Sequence, residues 1–476
     1  MRPKLTSPAT FLIAALLIWT GTSVAVISAQ PAPARPNIVL IFPDNLGWGE
    51  VGVFGGVRGT NITPRLDKLA GEGLRLNNFN VEYSCVVSRA ALMTGRYAIR
   101  TGATQPAGIT LWEVTIAEAL KSIGYATALF GKWHLGGDKP DGVREPTHQG
   151  FDEFYGIPRT SNEAQTGIAQ GSTTPNTSFV WEGKVGEPTR NVKPFNMETR
   201  RTVDRESAER SIAFMERNVK QRKPFFLYYA QTQIHFPTLA HHDFEGKTGA
   251  GDIADAMAET DYNVGLVLDA LDRLKIARDT IVLWCPDNGA EQRRPWRGTS
   301  GPWSGYYNTV MEGGVRTPCI VRWPGRIPAG RVSNEIVHQM DIFPTIAAAV
   351  GAPNIVPTDR AFDGVNQLPF FEGQQQKSNR DSVIYFTGQG TMRVQAVKWR
   401  DWKFHYIFQP EPGLTVAPLM RLFNLRSDPK EESDVKDSNP WAQSVMDKIV
   451  AEFNATVDKY PHTPPNAPDP YTPVRK

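Results

Sequence analysis

Short apolar runs alternate with amphipathic segments along most of the chain, and this alternation restricts the possible fold more than any other feature of the sequence. The run NIVLIF at 37–42 is apolar after its first residue, as expected for a strand buried on both faces of a sheet. Helix and strand units recur after it, with helices predicted at 63–73, 115–124, 201–218 and 253–274 and strands at 125–130, 225–230 and 280–285. These repeats predict an α/β fold, with a large, mixed, mainly parallel sheet sandwiched by helices.

The pattern changes near residue 375, where a polar link with three consecutive glutamines ends the helix and strand units. Short strands are predicted after it at 382–387, 392–398, 402–408 and 422–425, followed by a helix at 440–460. Their spacing predicts a smaller C-terminal antiparallel-sheet subdomain packed with a helix, and a proline-rich tail on the surface. We therefore divide the chain into a large domain at 37–375 and a C-terminal subdomain and tail at 376–476.

The amino-terminal segment has the layout of a signal peptide. Arg2 and Lys4 precede an apolar run at 11–19, and small residues follow it to Ala29, after which we expect cleavage. The alternative is an uncleaved membrane anchor, but the apolar run is shorter than the ~20 residues that a spanning helix needs. We predict a signal peptide at 1–29 and a proline-rich spacer at 30–36. We also expect export to the periplasm or the extracellular space, without stable membrane insertion.

Charge and cysteine content exclude two classes of protein. The 52 basic and 49 acidic side chains leave a net charge of +3, which gives no electrostatic footprint for binding nucleic acid. The three cysteines, Cys85, Cys285 and Cys319, are too few for a disulfide framework. In an exported protein at least one of them cannot form an intramolecular disulfide, so that cysteine needs another explanation.

Two Asp-Asn pairs, Asp44-Asn45 and Asp287-Asn288, each follow a predicted central strand. The carboxyl ends of parallel strands share one edge of a sheet, so the two pairs can converge. Carboxylate and amide oxygens suit a hard cation such as Ca²⁺ or Mg²⁺, whereas zinc would prefer nitrogen or sulfur ligands. The alternative is that both pairs are turn or cap residues. Because the pairs match, we expect a metal site.

Cationic side chains follow two further predicted strands. Lys132 and His134 come after one strand and His235 after another, where they would suit an oxyanion substrate held beside a metal. Cys85 precedes Ser88, a good N-cap residue, so we expect the cysteine just ahead of a helix amino end, which favours an anion or a nucleophile. The alternative is a small buried cysteine without a chemical role.

At these residues the chain resembles the sulfatase family of the alkaline phosphatase superfamily. Cys85-x-x-Ser88-Arg89, followed by LMTGR at 92–96, is similar to the signature in which the cysteine is oxidised after translation to formylglycine. Further matching blocks occur in family order: GKWHLG at 131–136, GFDEF at 150–154, PDNG at 286–289 and EGGVR at 312–316. The resemblance implies that 37–375 is a sulfatase catalytic domain that hydrolyses a sulfate monoester.

The resemblance also implies roles for the candidate residues. A formylglycine-generating enzyme would convert Cys85, and one hydroxyl of the hydrated aldehyde would attack sulfur before the other expels sulfate. Arg89 would stabilise the hydrated aldehyde, and His134 would handle the proton of that hydrate. Lys132 and His235 would contact the sulfate and the leaving oxygen, with His235 as the general acid. One Ca²⁺ per chain, with Mg²⁺ as the alternative, would be held by Asp44, Asn45, Cys85, Asp287 and Asn288.

Three positions depart from the family pattern. Val87 stands where the family usually has proline, and Asn45 stands where it has a second aspartate, which removes a negative charge from the expected metal site. Many members carry a lysine shortly before the Glu-Gly-Gly block, but no lysine lies between Asp287 and Arg316. That stretch holds arginines to which the sequence assigns no role, namely Arg293, Arg294 and Arg297.

These observations lead to one main hypothesis and two alternatives. The main hypothesis is an exported, arylsulfatase-like sulfuric ester hydrolase acting on a small-molecule or glycan sulfate ester. The same nucleophile and metal would also serve a phosphonate or phosphodiester hydrolase. Val87 and Asn45 motivate the second alternative, a non-catalytic sulfatase-like binding protein. Aromatic residues near the motifs form either a substrate rim or part of the core, and these are Trp48, Trp296, Trp303, Tyr306 and Tyr307.

Overall fold

The computed structural model describes residues 1, 35–59, 61–103, 107–137, 142–165, 178–388, 392–412 and 419–473. The predicted signal peptide, apart from Met1, and most of the predicted spacer lie outside these ranges. Arg35–Lys476 forms one compact unit. Among the helices of the described ranges, none combines the length and the apolar character of a membrane span.

Eleven strands of the described residues form one large sheet. They are β1 (Asn37–Ile41), β2 (Leu74–Asn80), β3 (Ala126–Lys132), β4 (Glu153–Ile157), β5 (Phe179–Lys184), β6 (Arg190–Pro194), β7 (Phe225–Ala230), β8 (Thr280–Trp284), β9 (Arg316–Arg322), β10 (Arg331–Ser333) and β11 (Val337–His338). Their order is β10-β2-β9-β8-β1-β7-β3-β4-β5-β6, and β11 also pairs with β2. Neighbours from β8 to β4 are parallel, whereas β9 and β5 pair antiparallel on both sides. The prediction of a mixed, mainly parallel sheet is confirmed.

Helices cover both faces of this sheet. They are α1 (Pro64–Gly71), α2 (Cys85–Thr94), α3 (Ala98–Thr101), α4 (Ile116–Ser122), α5 (Met197–Gln221), α6 (Asp252–Arg273), α7 (Glu312–Val315), α8 (Ile342–Ala349) and α9 (Leu368–Phe371). Along β1, Ile38 and Leu40 join the core that contains α2, α4 and α8. Val39 and Ile41 join the core on α1, α5 and α6. Burial on both faces explains why this strand is continuously apolar.

The ends of the helices depend on capping side chains. The predicted capping box at the start of α4 is present, because Thr115 and Glu118 each accept a backbone hydrogen bond from the other. Helix α5 begins at Met197, earlier than the predicted residue 201, because the Asn196 side chain accepts a hydrogen bond from the Thr199 N–H. It ends at Gln221, and the C-cap residue Arg222 adopts a left-handed conformation with φ of 54°.

The C-terminal sheet is antiparallel, as predicted. Its strands are, in spatial order, β12 (Ser382–Thr387), β13 (Arg393–Trp399), β14 (Trp402–His405) and β15 (Arg421–Asn424). Helix α10 (Pro440–Ala455) shares a core with this sheet through Ala442 and Met446. Strand β14 and helix α10 both end earlier than predicted. The boundary at 375/376 stays a prediction.

A buried charge network joins the small sheet to the segment that precedes β9. The Glu312 carboxylate lies 2.6 Å from Lys398 Nζ and 2.9 Å from Lys403 Nζ, and Lys403 lies 3.2 Å from Glu431. Glu431 also accepts the Glu312 backbone N–H at 2.7 Å, and it bonds His405 at 2.8 Å. Burial favours a higher pKa for Glu312, but Lys398 and Lys403 hold that pKa well below its usual range. The network therefore depends on keeping every charge paired.

We predict that Lys403→Met strongly destabilises the protein. The substitution leaves Glu312 and Glu431 buried with one cation fewer, which should cost about 3 kcal/mol of the free energy of unfolding. Urea unfolding followed by circular dichroism measures the loss. Lys448→Met is the control, because it removes one member of the exposed Lys448–Glu452 pair on α10 and should leave stability nearly unchanged. Equal stability of the two variants would contradict a stabilising role for the network.

Candidate active site

The polar clusters predicted from the sequence lie at the ends of four adjacent parallel strands. In sheet order these strands are β8, β1, β7 and β3. Asp287 and Asn288 follow β8, Asp44 and Asn45 follow β1, His235 follows β7, and Lys132 and His134 lie at the end of β3 and just beyond it. All of these side chains are buried. The sheet edge therefore brings together residues that are far apart in the sequence.

Cys85 lies among these clusters. Its Sγ is 3.4 Å from Asp44 Oδ1, 3.5 Å from Asn45 Oδ1 and 3.9 Å from the Tyr307 hydroxyl. Ligand atoms of Asp44, Cys85 and His235 lie within 4.8 Å of one another. Cys85 is only 1% exposed, and burial together with the Asp44 carboxylate raises the pKa of its thiol well above the usual value. The unmodified side chain is therefore a protonated thiol and a poor nucleophile.

The predicted helix start, with Ser88 as the N-cap and Cys85 ahead of the helix, is wrong. Cys85 is the first residue of α2, and Ser84, which has an extended backbone, takes the N-cap position expected for Ser88. The Ser88 N–H donates to the Ser84 carbonyl at 2.9 Å, so Ser88 lies inside the first helical turn. Its hydroxyl instead bonds the Asp287 carbonyl and the backbone of Glu82. These contacts tie the start of α2 to the segment after β8.

Asp44 and Asp287 are neighbouring buried carboxyl groups whose pKa values shift in opposite directions. Burial favours a higher pKa for Asp44, but Lys132, Arg89 and the other neighbouring groups together outweigh burial and hold that pKa well below its usual range. Burial and the Asp44 carboxylate raise the pKa of Asp287. Asp287 Oδ1 also accepts the Asn45 N–H at 3.0 Å. The pair concentrates negative charge that a bound cation would relieve.

The oxygen donors of this cluster fit a hard cation. Asp44, Asn45, Asp287 and Asn288 are fully buried and offer carboxylate and amide oxygens. Asn288 Oδ1 is buried without a hydrogen-bond partner among the described residues, as expected of an atom that binds a metal. Asn45 has φ of 55°, a left-handed conformation that asparagine tolerates better than most residues.

Lys132 and Arg89 are the cations that balance these carboxylates. Lys132 Nζ donates to Asp44 Oδ2 at 2.6 Å, and Arg89 Nη2 donates to Asp287 Oδ2 at 3.0 Å. Arg89 Nη1 also donates to the Lys132 carbonyl at 2.9 Å and to the Tyr228 hydroxyl at 3.3 Å. Both cationic side chains are fully buried. The pairs therefore hold two positive charges in fixed positions at the site.

His134 and His235 are both buried and neutral. Burial and Lys132 lower the pKa of His134 well below its usual value, and its Nδ1 has no hydrogen-bond partner within the described ranges. Burial lowers the pKa of His235 to about 3. His235 Nδ1 lies 2.6 Å from the Phe236 carbonyl, so we assign the hydrogen to Nδ1 and leave Nε2, 3.3 Å from the Thr160 hydroxyl, unprotonated. Both imidazoles can accept a proton.

Several residues of the site had no predicted role. Glu291 Oε2 accepts a hydrogen bond from Asn45 at 3.3 Å. Because Glu291 stands shortly after the PDNG block, its place in the site could have been predicted from the sequence. Tyr228 lies inside the apolar strand β7, and Thr160 lies in an irregular segment after β4. Neither residue could therefore be assigned to the site from the sequence. Tyr307 was expected only near the motifs, and the structure places its hydroxyl beside the cysteine sulfur.

Comparison with known proteins identifies the family. A model described as Sulfatase matches residues 36–352, more than half of the chain. The chain belongs to the sulfatase family. A second model, described as N-sulphoglucosamine sulphohydrolase, C-terminal, matches residues 304–459 of this sulfatase. Arylsulfatase A of Homo sapiens is 37% identical over 440 residues, which cover 85% of this chain and 84% of that protein.

Solved structures share this fold. A sulfatase from Pseudoalteromonas sp., PsFucS1, matches with a TM-score of 0.82 and 30% identity, over 90% of this chain and 92% of that one. Ps i-CgsB, solved in complex with k-i-k-neocarrahexaose, matches with a TM-score of 0.75 and 26% identity, over 91% of this chain and 94% of that one. The expected family, fold and enzyme class are confirmed, and the protein is an arylsulfatase-like sulfuric ester hydrolase.

We predict that Asp287→Asn abolishes activity and calcium-dependent stabilisation while leaving the fold intact. The substitution preserves side-chain size but replaces a carboxylate of the donor set with an amide, which weakens Ca²⁺ binding. Thermal unfolding with and without Ca²⁺ should show a calcium-induced rise in Tm for the wild type and little rise for the variant. Asp269→Asn, which alters an exposed carboxylate, is the control. A full calcium response in Asp287→Asn would remove this residue from the metal site.

Proposed function

We propose that this sulfatase is an exported enzyme that cleaves a sulfate monoester with a formylglycine made from Cys85 and a divalent cation. The proposal is carried by one observation, the convergence of Cys85, buried oxygen donors and two buried cations at one sheet edge. Export rests on the amino-terminal sequence. A small-molecule or glycan sulfate ester is the proposed substrate, because relatives include an arylsulfatase and a structure with a bound oligosaccharide.

Lys132 and Arg89 would bind the negative charge of the sulfate group. Each is already held by a carboxylate, at 2.6 Å and 3.0 Å, so little rearrangement is needed when the anion enters. Arg89 also donates a hydrogen bond to the Lys132 carbonyl at 2.9 Å, which fixes the positions of these two residues relative to each other. We therefore expect both residues to stabilise charge that increases during transfer of the sulfate group.

Oxidation of Cys85 would replace a poor nucleophile with a better one. The buried thiol is protonated, and a sulfated thiol has no simple route back to the free enzyme. A hydrated aldehyde carries two hydroxyls on one carbon. One hydroxyl can attack sulfur and displace the alcohol, and the other can lose its proton and expel sulfate. This second step restores the aldehyde, which water hydrates again.

The two histidines would move the protons of this reaction. His134 is neutral and its Nδ1 is unpartnered in the described part of the chain, so it can accept the proton of the hydrate. His235 is the proposed general acid for the leaving oxygen. Its Nε2 must first take up a proton, which the negative charge of a bound sulfate ester favours.

The proposed metal ligands are the four oxygen-donor residues and residue 85, namely Asp44, Asn45, Asp287, Asn288 and Cys85. When bound, Ca²⁺ or Mg²⁺ would stabilise negative charge on the sulfate oxygens. The unpartnered Asn288 Oδ1 supports this assignment.

Maturation would have to occur before the chain folds. Cys85 is 1% exposed in the first turn of α2, where a formylglycine-generating enzyme could not reach it. Val87 is 4% exposed and packs in the core, at a helix position where proline would also be tolerated. Any effect of Val87 on conversion therefore concerns the unfolded segment that the maturation enzyme binds.

We predict that the purified protein releases inorganic sulfate from an aryl sulfate and that Cys85→Ala reduces this rate at least about 1,000-fold. Cys319→Ala removes another buried thiol, from β9, and should retain activity as the control. Parallel assays use aryl phosphonate and aryl phosphodiester substrates. Faster turnover of either would instead indicate a phosphonate or phosphodiester hydrolase. Binding of sulfate esters without turnover of any substrate would indicate a non-catalytic protein.

A further inference from the structure

The Tyr307 hydroxyl contacts the cysteine side chain, and none of the roles above uses it. It lies 3.9 Å from Cys85 Sγ and belongs to the loop between β8 and α7. Asp44 and Asn45 contact the same sulfur from the segment after β1. The Tyr307 side chain is only partly buried. The phenol is therefore close to the reacting position, on a residue that is only partly buried.

Backbone hydrogen bonds fix the position of this loop. The Tyr307 N–H donates to the Ala290 carbonyl at 2.9 Å, and the Asn308 N–H donates to the Tyr83 carbonyl at 2.9 Å. Ala290 follows the proposed metal ligands after β8, and Tyr83 lies just before Cys85. Asn308 has φ of 67°, a left-handed conformation that asparagine adopts readily. The segments that carry the metal donors and the nucleophile therefore also place Tyr307.

The Tyr307 hydroxyl is a donor that the rest of the site leaves free. Beyond Cys85, it has no hydrogen-bond partner in the described ranges. Lys132 and Arg89, by contrast, are each engaged with a carboxylate. No lysine occurs between Asp287 and Arg316, so this loop adds no ammonium group to the site. A phenol supplies a directional donor there without adding a charge that would need a counter-ion.

We propose that Tyr307 is a further catalytic residue, whose hydroxyl donates a hydrogen bond to an oxygen of the sulfate group while that group is held at residue 85. The inference rests on the proposed function. The 3.9 Å separation is long for a direct hydrogen bond to an oxygen at the sulfur position, but it leaves room for an oxygen of a sulfate bound there. The neutral donor would add to the charge stabilisation by Lys132 and Arg89.

Tyr307→Phe tests this role because it removes the hydroxyl and keeps the ring. We expect kcat/KM for an aryl sulfate to fall about 10- to 100-fold, the range for one hydrogen bond to a charged group. The inhibition constant of inorganic sulfate should rise as well. Each rate is divided by the fraction of chains that carry the aldehyde at residue 85, measured by mass spectrometry. Thermal unfolding shows whether the variant keeps its fold.

Tyr406→Phe is the control. Its hydroxyl belongs to the residue after β14 in the C-terminal subdomain and donates a hydrogen bond to Asp447 on α10 at 2.6 Å. We expect kcat/KM to stay within about twofold of the wild-type value. Equal losses in the two variants, or wild-type kcat/KM in Tyr307→Phe, would overturn the role of Tyr307 and leave the proposed function standing. A fully converted wild type that releases no sulfate would overturn both.

Discussion

The buried Asp44 carboxylate is the group on which the rest of the site depends. It accepts a hydrogen bond from Lys132 at 2.6 Å, and it lies 3.4 Å from the Cys85 sulfur and 3.8 Å from Arg89. A carboxylate can be buried in this way only when cations and donors surround it. Adjacent parallel strands supply those partners from distant parts of the chain, as in the contact between Asn45 and Asn288, 243 positions apart. The site therefore exists only where the sheet has formed.

The C-terminal sheet contributes to the same site indirectly. Lys398 and Lys403 pair with Glu312, whose backbone N–H is also held by Glu431. The next residue, Gly313, donates its N–H to the Ser304 carbonyl at 2.7 Å, which closes the loop that carries Tyr307. Buried charge pairs thus anchor, through Glu312, a segment that contacts the cysteine. Together with the apolar cluster that Ala91 and Tyr97 share with the small sheet, this link holds the small sheet against the large domain.

Much of the fold and of the site could be predicted because parallel strands follow a simple rule. Polar residues after buried strands converge, so the positions of Asp44, Lys132 and His235 followed from the sequence pattern. The helix start could not be predicted, because Ser88 bonds the Asp287 carbonyl rather than capping its own helix. Burial of Lys398 was equally hidden, since a lysine in an alternating strand normally faces water. The proximity of Tyr307 to Cys85 depends on the conformation of a loop, and a loop has no periodic sequence pattern from which that conformation could be predicted.

Mass spectrometry of the tryptic peptide at 76–89, from protein made in its native host, tests the central claim most directly. That claim is that Cys85 is the precursor of the nucleophile and not a buried structural thiol. We expect active protein to carry an aldehyde at residue 85, seen as loss of the sulfur and two hydrogens and gain of one oxygen. Active protein whose Cys85 is entirely an unmodified thiol would contradict the formylglycine mechanism.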